Sequence, residues 1–132
     1  MYNRYKQSHT QSLTVNQQIS AVLKKINQQL QESDHLFRTY KVAESIELGE
    51  KCIYRAIALS DIMEGYINQS LTKPQNDDTK EGLKSLQRHF DHLHQTINQY
   101  VISRNKALLE KIIKNLEAME KFWAELTPSP SQ

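Results

Sequence analysis

The chain has 132 residues, with 17 Lys+Arg against 15 Asp+Glu, one Cys, three Gly and three Pro. That length predicts one domain, large enough to bury about two-thirds of its unfolded surface without a metal or disulfide, and the single Cys52 excludes an internal disulfide framework and a Cys-based zinc site. A net charge of +2 is too small to argue for nucleic acid, no apolar run approaches the ~20 residues that span a bilayer, and MYNRYKQSHT lacks the apolar core of a signal peptide, so the expectation is a soluble, cytoplasmic protein with no membrane insertion. Scarce Gly and Pro also weigh against a many-turned sheet and against phosphate-cradling loops or nucleophile elbows.

Residues 1–13 read as an amino-terminal arm without helical period, carrying Tyr2 and Tyr5 beside Arg4 and Lys6. The first helical segment begins near Val15, with Val15, Ile19, Val22, Leu23, Ile26 and Leu30 on one stripe. Thr14 and Gln17 make a capping-box pattern. The stripe either runs on through Phe37 to Tyr40 or breaks at Ser33-Asp34, whose side chains compete for backbone hydrogen bonds.

The second segment, Val42 to Leu71, is the most informative. At 100° per residue, Val42, Ile46, Gly49, Ile53, Ala56, Ile57, Ser60 and Ile67 form one stripe. Leu48, Cys52, Leu59, Ile62 and Tyr66 form a second beside it. Together they cover an apolar or small-residue arc of roughly 220°, against the ~100° that faces one core. Such a helix is either central in a bundle or keeps a face for a partner.

Pro74 stops this segment, and Asp78 with Glu81 predicts the next helix start. Leu83, Leu86, Phe90, Leu93, Ile97 and Tyr100 then step by threes and fours, a seam for antiparallel packing. Leu109, Ile112, Ile113, Leu116, Met119, Trp123 and Leu126 carry the last segment. Ser103-Arg104-Asn105 is either a tight turn between two helices or, lacking Gly and Pro, the middle of one long helix. Residues 127–132 (TPSPSQ) cannot continue a helix and predict a disordered tail. The fold class expected is all-α: an antiparallel bundle of four main helices over residues 1–126, with Phe90, Tyr100, Phe122 and Trp123 in the core near its ends.

Catalytic chemistry finds little support. His89 and His92 share a helix face, but a metal needs further ligands from another helix, so the imidazoles read as solvated and no metal or cofactor is expected. Cys52 lies on the apolar arc and reads as a packed side chain rather than a nucleophile. Nothing forces two carboxylates into one pocket. What remains is the aromatic arm and the wide apolar helix. Either the arm covers a groove that a partner helix can enter, or the arm simply packs or frays and the helix is central.

These residues carry a resemblance. Met1-Tyr2-Asn3-Arg4-Tyr5 is similar to the opening of the bacterial flagellar secretion chaperones, the FliS family. Asp61-Ile62-Met63 with Gln69-Ser70-Leu71 resembles the end of the family's third helix and the loop beyond. Phe90-Asp91-His92-Leu93, then Ile97, resembles its Leu-Tyr-Asp-Tyr-Ile-x-x-x-Leu run, and Leu116, Met119 and Trp123 its apolar ending. The chain departs from the family at Ser12-Leu13-Thr14-Val15, at Val22 to Asn27, and at Tyr100-Val101, which stand where the family has other motifs, so it resembles a divergent member. The resemblance implies a cytosolic export chaperone without catalysis or cofactor. It implies binding of the disordered C-terminal segment of flagellin, which becomes helical on apolar grooves, and delivery to the gate of the flagellar type III export apparatus. The arm would cover part of the groove in the free protein. On this reading Ile46, Leu48, Cys52, Leu59, Ile62 and Tyr66, with Ile19, Leu23 and Ile26 and with Tyr2 and Tyr5 of the arm, form the pool that contains the client contacts. The chain would be a monomer or a weak homodimer. The alternative is a non-catalytic helical adaptor, or a homodimeric regulatory module, with another client.

Overall fold

The computed structural model describes residues 15–125, and within them the chain is four α-helices and no strand. They are α1 (Val15–Arg38), α2 (Val42–Leu71), α3 (Asp77–Ser103) and α4 (Lys106–Glu125). The expected all-α bundle is what forms. Short connections make the helices run up and down in turn. Each pairs with its neighbours around a ring: α1 with α2, α2 with α3, and α4 with α1 and more briefly with α3. The backbones of the diagonal pairs stay apart. The arm with Tyr2 and Tyr5, the Thr14 cap and the tail 127–132 lie outside the described residues.

The core takes one stripe from each helix: Ile19, Leu23, Ile26 and Leu30 from α1, Phe90, Leu93, Ile97 and Tyr100 from α3, Leu109, Ile112, Leu116, Met119 and Trp123 from α4. The contribution of α2 changes along its length. Ser45, Gly49, Cys52 and Ala56 are buried in its first half, Leu59, Met63 and Ile67 in its second. Small residues let the backbones close up at one end, and large ones hold them apart at the other.

Ser33-Asp34 does not break α1. Ser33 Oγ donates to the Ser45 carbonyl at 2.7 Å and Ser45 Oγ donates to the Ser33 carbonyl. These side chains bridge two helices instead of competing with their own. The helix ends in a Schellman motif: Tyr40 at φ 67° donates to the Phe37 carbonyl and Lys41 to the Leu36 carbonyl.

Two expectations are corrected. The cap of α3 is Asn76, whose side chain accepts from the Thr79 amide at 2.7 Å, so Asp77 and Asp78 already lie in the first turn. Phe122 is not in the core; it is 51% exposed. Two alternatives were open for α2: its buried residues run from Leu59 round to Ser60, an arc of about 100°, so the rest of its roughly 220° apolar or small-residue arc lies outside the core. The open question at residues 103–105 is settled as a turn. Arg104 takes the left-handed conformation at φ 54° and donates its amide to the Tyr100 carbonyl at 2.7 Å. Its guanidinium lies over the rings of Phe37 and Tyr100, 4.8 and 5.3 Å from their centroids. Asn105 then caps α4 by accepting from the amides of Ala107 and Leu108. Polar contacts replace the missing glycine.

Candidate functional site

Apolar side chains remain on two edges of α2 after the core is filled, with Lys51 and Arg55 between Leu48 and Ile62 on one of them. Gly49, beside Val101, and Ser60, which donates to Asp91, turn toward α3. Ser45, Cys52 and Arg55, which contact Ser33, Ile26 and Gln29, turn toward α1. Outside the α3 seam run Val42, Ile46 and Ile57, all exposed, with half-buried Ile53 between them. Ile46 is 41% and Ile102, at the end of α3, 76% exposed. Outside the α1 seam stand Ile62 and Tyr66, 61% and 50% exposed, with half-buried Leu48 further along the same edge. Exposed apolar side chains gathered in rows, rather than scattered singly, mark surfaces that other chains cover.

The sequence-based pool therefore divides. Ile46, Ile62 and Tyr66 are at the surface and Leu48 is partly so. Ile19, Leu23, Ile26, Cys52 and Leu59 are core residues, each no more than 5% exposed. The division has a simple cause: on a helix with apolar residues over most of its circumference, the wheel shows what can be buried, and only the neighbours show what is. Tyr54, Ile57, Ile102 and Phe122 are surface apolar residues left out of the pool. Ile57 was legible, since it lies about 20° from Ile46 on the wheel.

A third apolar surface lies where α3 and α4 diverge. Leu86 and His89 face Met119, Phe122 and Trp123 across a cavity of about 310 Å³. Trp123 meets Phe90 and Phe122 edge to face, at 6.1 and 5.7 Å between ring centroids.

Among the described residues Cys52 is buried, and His35, His89 and His92 are exposed. Burial pushes the Cys52 thiol up to about 12, which leaves no thiolate at neutral pH. His89 holds its Nδ1 2.8 Å from the Ser85 carbonyl. Among the described residues no three His, Cys, Asp or Glu side chains gather as metal ligands, and no helix is long and apolar enough to cross a membrane. No family model, curated protein or solved structure matches the chain.

Proposed function

We propose that this protein is a non-catalytic chaperone that captures an apolar, helix-forming segment of a client on the outer edges of α2. The observation that carries this reading is the pair of unpartnered rows, Val42–Ile46–Ile57 and Ile62–Tyr66, on a bundle whose interior is already full. A disordered segment that folds on binding gives up about 2–5 kcal/mol in ordering, so it needs a long apolar track rather than one pocket. A 30-residue helix, about 45 Å long, supplies that length. The resemblance to the flagellar secretion chaperones supplies the client: the C-terminal segment of flagellin, held unpolymerised in the cytoplasm and handed to a component of the flagellar export gate.

The test is a titration with the C-terminal segment of the flagellin from the same genome. Helix content rises above the sum of the parts, and Ile62→Asp with Ile57→Asp weakens binding at least tenfold while the free protein keeps its fold. No binding up to about 100 μM, weaker than roughly −5.5 kcal/mol, sinks the proposal. The spacing of Ile46, Ile53 and Ile57, seven and four residues apart with exposed Ile102 beside them, also suits a seam between two copies. A stable dimer on sizing that Ile57→Asp dissolves would favour the homodimeric module instead.

A further inference from the structure

The groove between α3 and α4 lies across the bundle from α2 and has a different character from the α2 rows. Its floor is Leu86, Met119 and Trp123, with half-exposed Phe122 at the lip. A volume of about 310 Å³ suits one or two large side chains rather than a small metabolite, for which pockets start near this size and close around the ligand. No Lys or Arg lines the groove itself, but its flanks are basic. On α4, exposed Lys111, Lys114 and Lys121 stand within about 60° of the groove residue Ala118 on the helical wheel. On α3, Arg88 and His92 line an adjoining hollow with His89, which belongs to both. Of the exposed carboxylates, Asp78 and Glu81 stand where α3 begins and Glu125 where α4 stops, while Glu110 and Glu117 lie about 80° and 100° from Ala118, beyond Lys114 and Lys121 on the wheel.

We infer that this groove is a second docking site and that its occupant is an acidic amphipathic helix of a partner protein. The apolar row of that helix sits on Phe122 and Trp123. Its carboxylates meet Arg88 on one wall and Lys111 and Lys114 on the other. The inference does not rest on the flagellin reading, since the residues involved are separate and both sites can be filled together.

The probe is a tryptophan-free helical peptide, about 18 residues long, with one Leu/Phe stripe and Glu flanks, compared with the same stripe flanked by Lys. Binding to the full chain is read by anisotropy of the labelled peptide and by emission of Trp123, the only tryptophan present. The Glu peptide binds at least about fivefold tighter than the Lys peptide, and salt shrinks the difference. Trp123 emission changes on binding. Arg88→Glu with Lys114→Glu abolishes the preference at unchanged helix content, Phe122→Ala weakens both peptides, and Ile62→Asp weakens neither. Equal binding of the two peptides, or an unresponsive Trp123, overturns the inference. So does displacement of the Glu peptide by a single-stranded oligonucleotide. An emission change with protein concentration alone would assign the groove to a second copy, and one on deletion of residues 1–13 to the chain's own amino terminus; either result overturns it as well.

Discussion

Asp34 shows how a single charged side chain can be kept inside a small bundle. Its carboxylate accepts from the Tyr100 hydroxyl at 2.5 Å, Arg38 Nε at 2.9 Å and Lys106 Nζ at 3.4 Å, so α1, α3 and α4 all meet there. Burial pushes the carboxyl up, but the hydrogen bonds from Arg38 and Tyr100 and the charges of Lys106 and Arg38 outweigh it and hold the group below its usual value. Tyr100 moves the other way, to about 12, through burial first and then through its bond to Asp34. A folded-state pKa below the unfolded one means that Asp34 stabilises fully above about pH 4 and that this contribution fades as pH falls through the lowered value. Denaturation between pH 7 and 2 should therefore show a steeper acid loss in the native protein than in Asp34→Asn. At pH 7, Asp34→Ala should cost about 1–3 kcal/mol, because it strips the buried Tyr100 hydroxyl of its acceptor. Arg38 and Lys106 are about half exposed, so replacing either by Ala should cost less than about 1 kcal/mol.

At the scale of the element, α2 is shaped by the small residues of its first half. A Cβ at Gly49 would sit 2.9 Å from Val101 Cγ2 and 3.5 Å from Ser33 Oγ. Val101 is β-branched and cannot swing aside cheaply. Gly49→Ala should therefore destabilise, by about 1–3 kcal/mol of overpacking less up to about 1 kcal/mol of helix propensity gained. The check is a double-mutant cycle on thermal or urea unfolding. Val101→Ala should recover most of the loss in the Gly49→Ala background, and purely additive effects would show that the two side chains do not compete for the same space. Gly65 has open space around it, so Gly65→Ala serves as the control that gains propensity without a clash.

Among the described residues, the bundle is closed by small and polar side chains at one end and carries large apolar ones and a groove at the other, open end. At the closed end the Ser33–Ser45 pair, Gly49, Arg104 and Asp34 draw the helices together through polar contacts and small residues. At the open end Phe90, Met119 and Trp123 hold α3 and α4 apart and leave the groove between them. This division separates stability from binding. Leu23→Ala, at a site with no exposure, should cost about 2–5 kcal/mol. Ile62→Asp, on the surface, should change stability by no more than about 0.5 kcal/mol. Only the second should weaken client binding without lowering the melting temperature. If both act through stability, the α2 rows are not a binding surface.

The amino-acid pattern by itself determined an all-helical chain, the bounds of α2, the stop at Pro74 and the seams along α3 and α4, but left open whether the last two segments are one helix or two. Periodicity is a local property: residues three and four apart share a face whatever surrounds them. It could not show that Ser33 and Asp34 would be satisfied by other helices, nor that Arg104 would turn the chain without a glycine, because those groups find partners on other helices, from Ser45, twelve residues from Ser33, to Lys106, 72 residues from Asp34. The division of the apolar arc of α2 into core and surface, the exposure of Phe122 and the opening between α3 and α4 were likewise decided only by tertiary structure. A helix wheel assigns direction, whereas burial depends on how closely each neighbour approaches, and that distance is fixed by small side chains on one helix meeting branched ones on another.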